Sequence, residues 1–542
     1  MTETLHFDYV VVGGGSAGCA VARGLAKGSA SRVLLVEAGP DTRTVDTMVP
    51  ARVRQAITKF DWGYVAEADK SRGGRREGWA RGRILGGCSS INGMMFVRGA
   101  PSDFDRWAAM QNPGWSWEDV APHFRTMETS DRPGAERGHA GPLNVRTIKR
   151  PHPLTRAFLG AAADAGFAVI DDYNGGDQTG FGLAQLSQRK GLRHSAADAF
   201  LADVRSQDNF TLWDKCEARR LVFDGGQATH LVCSRDGVDI KVSADKFILS
   251  SGAVGTPVLL MHSGVGDPDD LAELGISSTI AAPEVGRNMI EHPLVRLVYE
   301  TKIPSRNPRG IGQHLAEAVD FLLHREGMLA SAFEATGFVK SADDLAAPDI
   351  QFHFLPLGIL DPVQHAAPLL TAPSLTIYAN LSHPTGRGAL KLVSKDPGVP
   401  PRIHPNLLGS DRDVDALASA LRIARRIMTT GQIGSLVAGE VTPGPLVESD
   451  AALRAHVRSN CEIAYHIAGT CRMGSDPHAV VSSDLKLNGS DNVWIADASI
   501  FPDLISGNTN AACMMIGTKL AQQLIGTSGA GTADDSMDGY SA

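Results

Sequence analysis

A glycine-rich turn near the start of the chain constrains the fold more than any other feature. The segment Gly13-Gly14-Gly15-Ser16-Ala17-Gly18 fits the pattern G-x-G-x-x-G. A short apolar run at residues 7–12 precedes it, a helix-like stretch at 16–27 follows, and a second apolar run comes at 32–36. Strand, glycine turn, helix and strand in this order indicate the first unit of a doubly wound α/β sheet that binds a dinucleotide.

The spacing within this unit supports a dinucleotide site. Gly13 permits the tight turn, Gly15 lets a pyrophosphate approach the backbone, and Gly18 lets helix and strand pack closely. The helix N-terminus, with Ser16 and Ala17, faces the phosphates. Glu37 follows the last glycine by 37 − 18 = 19 residues, where a carboxylate can accept a hydrogen bond from a ribose hydroxyl. The motif does not distinguish NAD from FAD.

A second glycine-rich segment runs from Gly82 to Gly93, with the sequence GRILGGCSSING. It lies too far downstream to belong to the phosphate loop, so its glycines serve another purpose. Glycine lets a backbone come close to a flat ligand and adopt dihedral angles that other residues avoid. Beside a dinucleotide fold, the expected flat ligand is a flavin ring.

Composition narrows the class of protein. The 542 residues are 43% hydrophobic and 21% charged, with a net charge of −8, which is typical of a soluble globular protein and gives no basis for nucleic-acid binding. The seven cysteines form no CxxC pair, so no disulfide framework and no metal site is predicted. No membrane span and no signal peptide are expected from the sequence, and the predicted location is cytoplasmic.

The fold class predicted is α/β mixed with α+β: a discontinuous Rossmann-like domain with an inserted substrate domain on an antiparallel sheet. Residues 40–150 are expected to be irregular, strands at 351–354 and 374–378, and a final apolar helix at 510–525. The predicted division is 1–155, 190–305 and 446–525 for cofactor binding, 306–445 with 156–189 for the substrate, and 526–542 as a disordered tail.

Several long motifs in order give the chain a family resemblance. They are the segment 82–105, the segment 252–266 (GAVGTPVLLMHSGVG), the loop 285–292 (VGRNMIEH), the segment 465–474 (YHIAGTCRMG) and the segment 496–502 (ADASIFP). From residue 5 to 525 the chain resembles the glucose-methanol-choline (GMC) family of FAD-dependent alcohol oxidoreductases. Cys88 stands where glycine, serine or threonine is usual in the first signature.

The resemblance implies FAD as the cofactor, with Asn92 and Gly93 close to the flavin ring. Members with covalent FAD can carry a histidine at the position of Ile91, so non-covalent FAD is predicted. The predicted cofactor-binding residues are Gly13, Gly15, Ser16, Ala17, Gly18, Glu37, Ala38, Arg83, Leu85, Gly87, Ser90, Asn92, Gly93, Met94, Met95, Ala218, Asp497, Ala498, Asn508 and Thr509.

Oxidation of an alcohol removes a proton and a hydride. Imidazole is the side chain best suited to take the proton near neutral pH. By resemblance His466 is the catalytic base, Asn510 is the amide partner that positions the substrate oxygen, and flavin N5 takes the hydride. His353, Tyr465 and Trp62 are predicted for the substrate pocket, while the roles of Cys88 and Glu334 stay open.

The predicted reaction is oxidation of a primary alcohol on a small organic molecule to the aldehyde, by an oxidase or a dehydrogenase. Choline-like, aromatic and pyridoxine-type alcohols form the shortlist of substrates. A pyridoxine-type alcohol oxidase of the same family and a hydroxynitrile-lyase-type enzyme without net redox are the alternatives. The electron acceptor is either O₂ or an unidentified acceptor, and the protein is expected to be a monomer or a dimer.

Overall fold

The protein is described here by a computed structural model, which covers residues 5–307, 310–359 and 370–529. Its strands are β1 Leu5–Val12, β2 Val33–Val36, β3 Glu128–Ser130, β4 Leu143–Thr147, β5 Gly180–Leu183, β6 Gln185–Arg189, β7 Leu192–Arg193, β8 Phe210–Trp213, β9 Cys216–Asp224, β10 Gln227–Arg235, β11 Val238–Leu249, β12 Val265–Gly266, β13 Ile280–Ala281, β14 Pro293–Thr301, β15 Ala335–Val339, β16 Ile350–Leu355, β17 Ser374–Leu381, β18 Ala389–Lys391, β19 Arg402–His404, β20 Val437–Thr442, β21 Glu462–Ile463 and β22 Val493–Ile495. Its α-helices are α1 Ser16–Gly28, α2 Val45–Met48, α3 Val53–Phe60, α4 Pro101–Ala109, α5 Trp117–Met127, α6 Pro153–Asp164, α7 Ala196–Phe200, α8 Gly252–His262, α9 Pro268–Glu273, α10 Ile311–His324, α11 Asp411–Met428, α12 Gly431–Leu436, α13 Asp450–Asn460 and α14 Asn510–Gly529.

The first sheet has the strand order β8-β2-β1-β11-β10-β9, and β22 pairs with β11. β1 is parallel to β2 and β11, with Val12 opposite both Val36 and Leu249. This confirms the predicted strand–turn–helix–strand unit. Because parallel strands end at one edge, the residues that follow β1, β2, β11 and β22 come together there.

Close packing of small residues holds α1 in place. A Cβ on Gly18 would lie 1.9 Å from the Gly13 carbonyl oxygen, so only glycine fits at this helix–strand crossing. On the other side α1 packs against α14, where a Cβ on Gly24 would lie 2.4 Å from the Cβ of Ala521. This packing brings the start of α14 beside the start of α1.

The second sheet has the order β20-β14-β17-β16-β15-β5, and β21 pairs with β14. Its strand pairs are antiparallel, as predicted for the substrate domain, and all residues of β16 and β17 are buried. Apart from β5, the first strand of this sheet along the sequence is β14, which begins at Pro293, before the proposed boundary at 305. The division into domains stays a prediction.

Two details differ from the expectations. Residues 40–150 are not irregular throughout, because α4 and α5 lie within them: Pro101 occupies the first turn of α4, and Ser116 with Asp119 forms a capping box for α5. Such start signals override a glycine-rich context. The last helix continues to Gly529 instead of ending at 525, and the rest of the proposed tail, from 530, lies outside the described residues.

Within the described ranges, no helix has both the length and the apolar character that crossing a membrane requires.

Candidate active site

The edge of the first sheet opens into a cavity of about 800 Å³ that reaches the inner face of the second sheet. Gly13 after β1, Glu37 after β2 and Ser250 after β11 line one end, which we call the dinucleotide end. His466 lies on the loop after β21, and His353 lies on β16 of the second sheet. The cavity therefore joins the glycine turn to the predicted catalytic histidine.

The dinucleotide end is shaped to take a phosphate and a ribose. A Cβ on Gly15 would meet only the Ser250 carbonyl oxygen, at 3.8 Å, so this backbone lies open to the cavity at the N-terminus of α1. Behind it, a Cβ on Gly87 would lie 2.8 Å from the Gly15 Cα. The two glycine-rich segments thus pack on each other, and the residues present fit a dinucleotide.

Glu37 is held in place by backbone donors. Its carboxylate accepts hydrogen bonds from the N–H groups of Gly14, at 2.9 Å, and Gly39, at 2.7 Å. Burial raises the pKa of this carboxyl to about 7, against the effect of those two donors. A buried acceptor at the end of β2 is what recognition of a ribose hydroxyl requires.

Most of the predicted cofactor residues line this cavity, and their contacts with FAD stay predictions. Those that line it are Gly13, Gly15, Ser16, Ala17, Glu37, Ala38, Arg83, Gly87, Asn92, Gly93, Met94, Met95, Ala218, Asp497, Ala498, Asn508 and Thr509. Gly18 serves the helix crossing instead. Leu85 and Ser90 support the loop from behind, where Ser90 Oγ donates to the Leu85 carbonyl at 2.8 Å.

Trp62 and Cys88 line the cavity but face other groups than His466. The Arg83 guanidinium lies over the Trp62 ring at 4.5 Å and pairs with Glu217 at 3.0 Å. Arg83 also lowers the pKa of the Glu37 carboxyl, so the Trp62 ring contacts a residue that acts on the dinucleotide end. The assignment of Trp62 to the substrate pocket stays a prediction. Cys88 Sγ accepts from the Gly82 N–H at 3.4 Å.

Glu334 does not belong to the cavity lining. Its carboxylate lies 2.7 Å from the Arg306 guanidinium and accepts from Thr155 Oγ1 at 2.6 Å. The residue is buried. These contacts give Glu334 a structural role, tying β15 to α6.

His466 is part of a chain of hydrogen bonds whose direction is fixed by two backbone carbonyls. His292 Nε2 lies 3.0 Å from the Ser382 oxygen and 3.1 Å from the Ile505 oxygen. Carbonyls only accept, so His292 carries its proton on Nε2. Burial lowers the pKa of His292 to about 3, which keeps the ring neutral and makes its Nδ1 an acceptor.

The same chain sets the tautomer of His466. Its Nδ1 lies 2.9 Å from His292 Nδ1 and must donate to it, which leaves His466 Nε2 without a proton. Asn508 Nδ2 donates to that Nε2 at 3.0 Å, and Gln351 Nε2 donates to Asn508 Oδ1 at 3.1 Å. The four side chains therefore present an unprotonated imidazole nitrogen beside an amide donor.

The expected contact between His466 and Asn510 is not the one that the structure shows. Asn510 is the first residue of α14, and its Oδ1 accepts a hydrogen bond from Ser16 Oγ at 2.7 Å. Asn508 precedes the helix, and its side chain reaches His466 instead. The motif N-x-N offers two asparagines, and the helix start decides which one faces the imidazole.

The surroundings of His466 keep it neutral. Its pKa lies well below 6.5, first because of burial and then because of His292, His353 and Arg81 nearby. The buried Glu291 carboxylate accepts from the backbone N–H of His466 at 2.7 Å and of His292 at 2.9 Å. Burial raises the pKa of Glu291 to about 7.

Tyr465 shapes the loop that carries His466. It lines the cavity and has a φ of +65°, which is rare for a residue other than glycine. The Arg81 guanidinium donates to its carbonyl at 2.8 Å. Contacts with neighbouring residues hold this unfavourable backbone conformation, as is common where a functional side chain must keep one orientation.

The end of the cavity beyond His466 is apolar. We call it the apolar chamber, and its walls are Leu294, Met328, Ala332, Phe333, Leu355, Leu357, Ile359, Tyr378 and Ala464. His353 and Asn380 are the polar residues that β16 and β17 place on it, 3.3 Å apart. The Phe333 ring stands edge-on to His353 with 5.6 Å between centroids.

The sequence analysis missed His292, Gln351, Asn380 and Glu291. Two signals were available: His292 ends the motif VGRNMIEH, and Gln351 stands two residues before His353 on one strand, so both side chains face the same side. Neither signal identifies the partner.

Comparison with known proteins places the chain in a family. The N-terminal part of the GMC oxidoreductase family model matches residues 7–294, and its C-terminal part matches residues 384–517. The chain belongs to the GMC oxidoreductases, which confirms the resemblance, and its cofactor is FAD.

Two curated relatives extend over nearly the whole chain. An oxygen-dependent choline dehydrogenase of Sinorhizobium fredii is 34% identical over 537 residues, covering 96% of each chain. An alcohol dehydrogenase [acceptor] of Pseudomonas putida is 34% identical over 532 residues, also covering 96% of each.

Solved structures share the fold. Pyridoxine 4-oxidase from Mesorbium loti superposes with a TM-score of 0.87 and 32% identity, over 95% of this chain and 98% of its own. A formate oxidase superposes with a TM-score of 0.90 and 25% identity, over 97% and 99%. The mixed α/β fold with an FAD-binding domain is thereby confirmed.

Proposed function

We propose that this protein oxidises a primary alcohol on a small organic molecule to the aldehyde, with His466 as the base. One observation carries the proposal: the hydrogen-bond chain from His292 to Gln351 leaves His466 Nε2 unprotonated where the apolar chamber meets the dinucleotide end. A neutral imidazole with a low pKa is ready to accept a proton throughout the neutral range.

In this proposal the substrate hydroxyl binds between the side chains of His466 and Asn508. Its proton is donated to His466 Nε2, and its oxygen accepts from Asn508 Nδ2, which in the free protein points at the same nitrogen. His466 takes the proton while Asn508 holds the oxygen, and Gln351 holds Asn508. Bound FAD supplies the acceptor, at N5, for the hydride that leaves the alcohol carbon. These contacts orient the alcohol before reaction.

FAD is expected to bind without a covalent link. The position that can carry a linking histidine holds Ile91, which is 4% exposed and packs with Ala56 and Ile84. Precipitating the holoprotein with acid should release all yellow colour into the supernatant. Flavin that stays in the washed pellet would contradict non-covalent binding.

The pH dependence of flavin reduction should show that His466 is neutral. Because the pKa of His466 lies well below 6.5, its unprotonated form persists as the pH falls to that value. The rate constant for flavin reduction, measured by anaerobic stopped flow, should begin to fall through protonation of His466 only below pH 6.5. A protonation midpoint above 6.5 contradicts this environment.

Glu291 needs its own control in that experiment, because its pKa of about 7 adds a second ionisation. Glu291→Gln keeps an acceptor for the His466 N–H and removes the charge. The variant should lose any step near pH 7 and keep the acid limb of His466.

One experiment tests the reaction class. Alcohols mixed anaerobically with the holoprotein should bleach the flavin, and admitted air should restore it only if O₂ is the acceptor. The relatives named oxygen-dependent choline dehydrogenase, alcohol dehydrogenase and pyridoxine 4-oxidase favour redox chemistry over the lyase alternative. A protein that no alcohol bleaches would defeat the proposal. The cytoplasmic location and the oligomeric state stay predictions.

A further inference from the structure

One buried arginine lies beside the second glycine-rich segment. Arg193, on β7, is 2% exposed. Its guanidinium donates to the Thr47 carbonyl at 2.9 Å, to the Ser89 carbonyl at 3.1 Å and to Asn92 Oδ1 at 2.9 Å. These three acceptors are neutral, so they pair the N–H groups of the guanidinium and leave its positive charge without a counter-charge.

The charge of Arg193 persists at neutral pH and is only weakly balanced. Burial lowers the pKa of Arg193 to about 10, against the opposite effect of the Asp198 carboxylate. That carboxylate has closer partners of its own, because it accepts from Ser195 Oγ at 2.8 Å and lies 3.2 Å from the Arg43 guanidinium. Burying a charge without a counter-charge is costly, and a negative group that forms nearby is stabilised by it.

Asn92 connects the guanidinium to the cavity. Its Oδ1 accepts from the Met94 N–H at 2.9 Å as well as from Arg193. A guanidinium and a backbone N–H can only donate, so the amide oxygen must face them and the orientation of the amide is fixed. Asn92 is half-buried and lines the cavity. The charge of Arg193 is therefore one side chain away from the cavity.

This side chain stands on the segment that links the two ends of the cavity. Gly87 packs on Gly15 at the dinucleotide end, where a Cβ would lie 2.8 Å from the Gly15 Cα. At the other end of the segment, a Cβ on Gly93 would lie 2.8 Å from the ring of Phe333, in the wall of the apolar chamber. A cofactor whose phosphates bind at Gly15 and whose ring reaches the chamber has to extend along this segment, so the ring is expected beside Asn92.

We infer that the buried guanidinium of Arg193 raises the reduction potential of the bound FAD. A hydride carries two electrons and one proton, so the flavin ring gains one negative charge when it accepts a hydride. A fixed positive charge nearby stabilises that product and has little effect on the neutral oxidised ring. At an effective permittivity of about 20, two unit charges change an equilibrium more than tenfold out to roughly 10 Å. The inference rests on FAD binding and is independent of the alcohol that the enzyme oxidises.

The two-electron reduction potential of the bound FAD tests this inference without any alcohol. The holoprotein is reduced slowly and anaerobically with xanthine and xanthine oxidase, in equilibrium with a reference dye, and the absorbance of flavin and dye gives the potential. Arg193→Met removes the charge and should shift the equilibrium toward oxidised FAD at least about tenfold, which is a fall in potential of about 30 mV or more. Arg193→Lys keeps the charge but loses the planar set of donors, and it should retain most of the wild-type potential.

Arg205→Met is the matched control, because it removes the same charge from the same neighbourhood. Arg205 and Arg193 line one small cavity, but the Arg205 side chain is 40% exposed and pairs with Asp41 at 3.1 Å. Water and Asp41 screen its charge, so this variant should keep the wild-type potential. The Kd of oxidised FAD is measured for each variant by flavin fluorescence. A purely structural role of Arg193 would weaken the binding of oxidised and reduced FAD equally and leave the potential unchanged.

Three results would overturn the inference: an unchanged potential in Arg193→Met, the same fall in Arg193→Lys as in Arg193→Met, or an equal fall in Arg205→Met. The second result would assign the effect to the hydrogen bonds of Arg193 instead of its charge. If Arg193→Met does not retain FAD, Arg193→Gln replaces it, because glutamine donates hydrogen bonds without a charge. Equal potentials in the Lys and Gln variants would then contradict the inference. A failure of the proposed function is seen separately, as a flavin that no alcohol bleaches.

Discussion

Replacing His466 with alanine slows the reduction of bound FAD by an alcohol about 10²–10⁴-fold, the range expected for loss of a positioned general base. The side chain is buried at the end of a hydrogen-bond chain that keeps its Nε2 free of a proton. Its removal should leave FAD bound, because the dinucleotide end is built from other residues. Anaerobic stopped flow gives the rate constant, and the flavin-to-protein absorbance ratio gives the FAD content.

A buried histidine outside the cavity is the control. His194 is 5% exposed and its Nδ1 accepts from the Asn144 N–H at 3.2 Å, but it does not line the cavity. The rate constant for flavin reduction in His194→Ala should lie within a few-fold of the wild-type value. If His466→Ala reduces flavin as fast as His194→Ala, His466 is not the base.

Replacing Asn508 with alanine lowers the same rate constant about 10–100-fold, because one hydrogen bond to a group that gains charge is lost. Asn510→Ala is the matched control two positions away. It removes the acceptor of Ser16 Oγ and should act mainly on FAD affinity, by several-fold. The limiting rate at saturating alcohol and the Kd of FAD, followed by flavin fluorescence, separate the two effects.

This pair of variants also decides between two assignments of the amide. The structure gives the contact with His466 to Asn508, whereas the family motif had been aligned with Asn510. A larger loss in the limiting rate from Asn510→Ala than from Asn508→Ala would restore the alignment and remove Asn508 from the proposed mechanism.

The first sheet could be predicted because the sequence signals of its strands and turn lie within short continuous segments. Strands buried on both faces leave continuous apolar runs, and the crossing at Gly18 tolerates no side chain, so β1, the turn and β2 are visible in the sequence. Glu37 was found by its spacing from Gly18. The antiparallel strands β16 and β17 were found, within a few residues, for the same reason.

The site could be predicted only where a motif names the residue. The motif around His466 implies its role, whereas the motif that ends at His292 implies no role for that residue, which acts through a contact across 174 positions of chain. Gln351 reaches Asn508 across 157 positions. Such pairings depend on how two sheets dock, which no local pattern records. The contact of the Trp62 ring with the Arg83 guanidinium, at 4.5 Å, was likewise not visible in the sequence, and the place of Trp62 in the substrate pocket stays a prediction.

The meeting of Ser16 with Asn510 has a consequence for biosynthesis. These side chains are 494 positions apart in the sequence. In the first sheet, β11 pairs with β22, which is synthesised much later. A ribosome releases the glycine turn first and α14 last. The nascent chain therefore lacks the Asn510 side of the nucleotide site until α14 has been synthesised, and we expect the complete FAD site to form only after that point.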